Sequence, residues 1–302
     1  MTSLNDNLFD NVLKIVGTVG LLLNIGAFLI IHFKKSKNSN EFTSLNKWSR
    51  IPDAFLIFMI AFAIRIRIVG DYCFGAMNGL LSRFQSDMLN HLAMVVTIVS
   101  IHYIIYFIVI AFLMRYNVLV LGKPKLHFSL LEKIMHPFVW VFLPLVTLGY
   151  APFAFISPPQ FFETFPNATF VLTRYPKEKY SFLVYDCNIF SYLFLAVIIN
   201  SGVEVQALEK STKECRFKTS AVIKQNIVKL RFIVALPVIF AAAPFGLMIA
   251  IGLVFPNVFS NHVKQNIINY LIPASLSYFL LSPFQALYHT FGGNLVNPSL
   301  TL

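Results

Sequence analysis

The chain has 302 residues, of which 57% are hydrophobic, 15% aromatic and only 12% charged. Water-soluble domains carry about a quarter charged residues, and so little charge leaves more apolar surface than water tolerates. The formal charge of +11 does not point to nucleic acid, because the bases are spread among short polar segments rather than along one groove; they read as topology determinants facing anionic lipid. Three cysteines, Cys73, Cys187 and Cys215, exclude a disulfide-rich scaffold, and no C-x-x-C pair suggests zinc.

A helix needs roughly 20 mostly apolar residues to cross a bilayer. Helix 1 is expected over residues 12–33 and stops at Lys34, Lys35 and Lys37. The acidic residues Asp6 and Asp10 before it, with no base among them, do not read as a cleavable signal peptide. Helix 2 is expected over 51–69, helix 3 over 88–114, and a proline-rich helix 4 over 137–156. The longest loop, 157–186, precedes helix 5 at 188–206; a basic loop leads to helix 6 at 232–255; helix 7 follows at 266–288. The fold class is therefore an all-α integral membrane bundle of seven transmembrane helices. The whole chain forms one receptor domain, with residues 1–11 outside and a short cytosolic tail over 289–302.

Charge distribution sets the expected orientation. With the N-terminus outside, the cytosolic loops hold most of the 24 Lys and Arg residues: Lys34, Lys35, Lys37, Lys47 and Arg50; then Arg115, Lys123, Lys125 and Lys133; then seven more from Lys210 to Arg231. That asymmetry satisfies the positive-inside rule and places the C-terminus in the cytosol. The sequon Asn167-Ala168-Thr169 falls in the outer loop 157–186, where glycosylation is possible; chance occurrence is the alternative.

No catalytic constellation is present: there is no H-E-x-x-H, no G-x-S-x-G, no phosphate-binding glycine loop and no paired intramembrane carboxylates. The acid expected inside a helix is Glu204, near the cytosolic end of helix 5. No enzyme activity, cofactor or metal is expected. A proton-coupled transporter holds ionisable groups near the midplane and often shows repeated halves; neither sign is visible.

Intramembrane polar residues gather in the outer half. Arg65 and Arg67, expected in the last turns of helix 2, either snorkel to the headgroups or face the bundle as counter-charge for an acidic ligand. His102 and Tyr106, with Tyr103 beside them, share one face of helix 3; they line a pocket or pack a helix interface. Asn266, Asn269 and Tyr270 open helix 7 at the same depth with the same two readings. Cys73 and Cys187 both fall outside, where a bridge would tie the long loop across the bundle; spacing alone does not establish the geometry. Cys215 is expected to be a free cytosolic thiol. Prolines at 144, 152, 237, 244, 273 and 283 interrupt helices 4, 6 and 7.

Several segments carry a family resemblance. Lys47-Trp48 leads into helix 2; FGAMNGLLSRFQSD opens helix 3, which ends in FLMRY; KSTKE and Gln225 lead into helix 6 with Pro237; a proline-bearing helix 7 ends at LYH. In this order and spacing the chain resembles the nematode seven-transmembrane chemoreceptors, serpentine receptors of the class H and Str group, over most of its length. Arg115-Tyr116 resembles the arginine motif that ends helix 3 in G-protein-coupled receptors, with Met114 where many have an acid. Helix 7 lacks N-P-x-x-Y, and His289 stands where the worm families commonly have arginine.

The resemblance implies reception of a small environmental ligand in a sensory neuron, an olfactory role, and signalling through a heterotrimeric G protein. Arg115, Tyr116, Lys218 and Lys224 would face that partner. The alternatives are a seven-helix ligand-gated ion channel of opposite orientation and a transporter. If Cys73 and Cys187 are bridged, Cys73→Ser and Cys187→Ser each lower surface expression equally and the double variant lowers it no further, as flow cytometry can measure; additive losses exclude the bridge.

Overall fold

The computed structural model describes residues 2–33, 41–69, 74–119, 138–166, 170–185, 239, 247 and 261–291. Predicted helix 5, with Glu204, and predicted helix 6 apart from residues 239 and 247 lie outside these residues. Helices 1, 2, 3, 4 and 7 are described, and they form a bundle closed at one end by a small sheet.

Helix α1 (Thr2–Phe33) begins well before the hydropathic stretch at residue 12. A short helix α2 (Glu41–Trp48) runs into α3 (Arg50–Phe58), with a turn at Ser49 between them. Pro52 explains the break, since it has no N–H to donate to the Trp48 carbonyl one turn back. Helix α3 continues as a wider π-helical turn, Met59–Ile64, and stops there. Strand β1 (Ile66–Val69) follows, then β2 (Phe74–Met77) and a single 3-10 turn (Leu81–Phe84). Helix α4 (Asp87–Leu119) is the long predicted helix 3. A second π-helical turn (Phe138–Phe142) enters α5 (Leu143–Ala154), then β3 (Phe155–Ile156), α6 (Pro158–Thr164), α7 (Phe170–Arg174) and β4 (Ser181–Tyr185). The last predicted helix is two rods, α8 (Asn261–Leu276) and α9 (Tyr278–Phe291), broken at Ser277.

Among the described residues, two helical stretches are long and apolar enough to cross a membrane, Asn7–Phe33 and Asp87–Ile108, and Trp140–Ala154 is a shorter apolar helix. Helix α1 packs against α3, α8 and α9, while α4 packs against α3 and α5. The core between them holds Leu13, Ile57, Ala61, Ile104, Leu276 and Phe279. Gly17 sets the spacing of α1 and α3, because a Cβ there would collide with the Ala61 side chain, whereas a Cβ on Gly26 would meet nothing. Small residues at such crossings let membrane helices approach closely.

The sheet departs from the all-α expectation. Its order is β1-β2-β4-β3, antiparallel throughout, with Phe74 opposite Val184 and Phe155 opposite Tyr185. It joins the 2–3 loop to the 4–5 loop, so both lie at the same end of the bundle. The FGAMNGLLSRFQSD segment forms a strand, a turn and a 3-10 turn that lead into helix 3, which begins at Asp87 close to the expected residue 88.

Side chains alternate across a strand. Met77 and Leu183 face the ends of the bundle helices, while Ala76, Phe182 and Val184 pack under α6 and α7 with Phe161 and Tyr175. Gly17→Val is expected to lower the thermal midpoint of the purified chain, with an overpacking cost of about 1–3 kcal/mol, while Gly26→Val leaves it unchanged; a melting curve in lipid nanodiscs measures both.

Candidate functional site

Two buried charge clusters organise the described residues. The first joins helices 1, 2 and 7. Asp53 on α3 is 2% exposed and lies 3.0 Å from the Arg50 guanidinium. The same Arg50 nitrogen, Nη1, donates to Ser282 Oγ at 2.8 Å and to Asn24 Oδ1 at 3.2 Å. Asn24 Nδ2 donates in turn to the carbonyls of Gly20 at 2.8 Å and Phe279 at 2.9 Å. Pro283 has no N–H for that Phe279 oxygen, and Asn24 on helix 1 supplies the missing donor across the interface.

This cluster corrects two expectations. Glu204 is not the one acid to place in a helix: the helical run starts at Glu41, so Asp53 lies deep within it rather than at its mouth. Arg50 was counted among the loop bases that set topology, but it is 7% exposed and committed to Asp53.

The second cluster lies under the sheet. Helix 2 ends at Ile64, so Arg65 and Arg67 are not in its last turns. The end is fixed by the following loop, whose N–H groups cap the free helix carbonyls: Leu80 to Phe62 at 2.8 Å and Gly79 to Ile64 at 3.1 Å. A side chain on Gly79 would collide with the Ala63 carbonyl, so only glycine fits this cap.

Arg65 turns the chain out of the helix in the left-handed region, at φ 46° and ψ 63°, with Nε donating to Ala61 O at 3.4 Å. Arg67, on β1, is 2% exposed and pairs with Asp10 of α1 at 2.7 Å. Its guanidinium also lies 5.3 Å from the Phe9 ring and 5.9 Å from the Tyr180 ring. Asn78 Nδ2 holds the other Asp10 oxygen at 3.0 Å. The bundle already supplies Arg67 with a counter-charge.

His102 is buried, and its Nδ1–H donates to the Ile98 carbonyl at 2.8 Å. Tyr103 and Tyr106 both pack on Trp140, at ring distances of 6.1 and 6.3 Å, which seats them between helices 3 and 4. Asn269 is half-buried and Tyr270 is 42% exposed, both on α8. Arg115 and Tyr116 stand near the Leu119 end of α4, away from the sheet. Lys218, Lys224, Cys73, Cys187, Cys215 and Asn167 lie outside the described residues. Sequence reasoning missed Asn90, in the first turns of α4: it is fully buried, and neither its amide nitrogen nor its oxygen has a hydrogen-bond partner.

The crystal structure of squid rhodopsin matches this arrangement with a TM-score of 0.50, covering 95% of this chain and 85% of that one at 14% identity. The chain has a rhodopsin-like fold. No protein-family model matches it, and no curated protein does. The likeness extends over nearly the whole chain and concerns the fold. At this identity the likeness carries the architecture alone.

Within the bundle, removing one partner of a buried ion pair leaves a bare charge and costs about 3–5 kcal/mol, while replacing both can be neutral. Arg50→Leu is therefore expected to abolish recovery of folded chain, and Arg50→Leu with Asp53→Leu to restore most of it. Size-exclusion chromatography of the solubilised protein reads both.

Proposed function

We propose that this chain is a G-protein-coupled chemosensory receptor, without catalytic activity or cofactor. It takes a small environmental molecule at the sheet end and activates a heterotrimeric G protein at the opposite end. The rhodopsin-like fold carries this reading. The two ends of the chain support it further. One has paired strands over buried polar groups, and the other has Arg115 near the end of α4. The resemblance to nematode serpentine receptors supports the chemosensory role, and with it a multi-pass location in the plasma membrane of a sensory cilium.

In this reading the sheet end faces outward and the C-terminus lies in the cytosol. The ligand lies among Arg65, Arg67, His102, Tyr103, Tyr106, Asn269 and Tyr270. Arg115, Tyr116, Lys218 and Lys224 meet the G protein, where a planar, permanently charged guanidinium offers a fork that an ammonium lacks, and the basic loop meets anionic lipid and an acidic partner surface.

A tag before Met1 is expected to stain in intact cells, and a tag after Leu302 only after permeabilisation; the reverse rejects the orientation and the receptor reading with it. In cells screened for ligands by second messenger, Arg115→Lys is expected to reach the surface normally and to lose at least tenfold in response. A lysine variant that signals like the wild type removes Arg115 from the coupling site. A ligand-evoked current without any G protein favours the channel.

A further inference from the structure

We propose that the Asn90 side-chain amide anchors an uncharged, hydrogen-bonding ligand beneath the sheet, which narrows the ligand class of the receptor reading above and rests on it. Asn90 is fully buried, and both polar atoms of its amide are without partners. Burying an amide without partners is unfavourable, and nearly all buried polar groups in folded proteins are bonded to protein or to something held by it. Both atoms of the Asn90 amide are therefore free to bond a further molecule that reaches them.

Its surroundings define that molecule. Ala93 and Met94, three and four residues on, share the Asn90 face of α4. They belong to a cluster that joins the ends of helices 2, 3 and 4 to the sheet and includes Met59, Met77, Leu183 and Phe155. The cluster is built of apolar side chains, and the His91 ring packs on Phe155 at its edge, with 4.6 Å between centroids. Its three methionines are unbranched and polarisable and can repack around a guest. One amide in an apolar, adaptable setting is the composition of a small-molecule site.

The buried cation under the sheet, Arg67, is already committed to Asp10. An ionised ligand would thus lose its hydration without meeting a free counter-charge in the cluster. The amide offers a donor and an acceptor side by side, so its complement is a neutral group offering both in return, such as a carboxamide or an alcohol, on a short apolar chain.

Hexanamide, 1-hexanol, hexanoate and hexylammonium carry similar chains and differ in the polar end. With the full chain in lipid nanodiscs at pH 7, hexanamide or hexanol is expected to raise the thermal midpoint by about 2–4 °C, and the two ions to leave it unchanged. Asn90→Leu removes the unpartnered amide, so it should raise the ligand-free midpoint and abolish the hexanamide and hexanol shift. Asn90→Ser, which keeps one hydroxyl, should retain part of that shift and serves if the leucine variant does not fold.

An equal shift in wild type and Asn90→Leu means that the probes act through the lipid, and overturns the proposal. So does a wild type that ignores both neutral probes, which leaves an internal water as the amide's partner. A hexanamide shift without any G-protein activation in cells would sink the receptor reading and leave this site standing. Activation by ligands to which Asn90→Leu is indifferent would do the reverse.

Discussion

A carbonyl buried in hydrocarbon has only the protein to bond with, and the described structure is arranged around that constraint. It decides where helix 2 ends: the last carbonyls of α3 and its π-helical turn are taken by the N–H groups of Gly79 and Leu80, so the loop must fold back onto the helix. It also decides what helix 1 does. Pro283 frees the Phe279 carbonyl, and Asn24 reaches across from α1 to bond it. Broken helix 7 is thereby fastened to its neighbours by the very oxygen that its proline exposes.

The charges obey the same constraint with higher stakes. Arg50 and Arg67 lie beside carboxylates from other turns or elements, and each pair has neutral groups that add hydrogen bonds to it. A lone guanidinium in the bundle would be costly to bury, while a pair with its neighbours satisfied gains a fixed geometry. The Arg50 cluster fixes three helices relative to one another, and the Arg67 cluster fixes the first helix to the sheet. Aromatic faces at Phe9 and Tyr180 add to the second.

Helices 1, 2, 3, 4 and 7 were legible because crossing a bilayer demands a length and an apolar composition that few other structures share. The strands were hidden by the same signal. Ile66–Val69 continues the apolar run of helix 2 without a proline or glycine to end it, and what ends it is the cap from Gly79, some fifteen residues on and bonded through space. Strand β4 finds β2 across the intervening helices α4 to α7, a pairing that no local pattern announces. Asp53 was obscured by Pro52, which made the start of helix 2 look like a loop when a helical run from Glu41 already preceded it. Asn90 did leave a trace: with Ala93 and Thr97 it marks one face of α4 at spacings of three and four, a small and polar stripe on an otherwise apolar helix. That stripe reads as inward-facing once the period is followed.

The sheet also bears on how the chain is made. Helices 1 and 2 and the cap on helix 2 use only residues already synthesised by the time Leu80 emerges, so this hairpin can close early. The pairing of β2 with β4 must wait for α4 and α5, and it forms only when each has run the length of the bundle, returning the chain to the end it left. A nascent chain in which either helix failed to insert would hold the two strands on opposite sides of the membrane, with their backbone edges unpaired. A closed sheet therefore requires both helices to be correctly threaded.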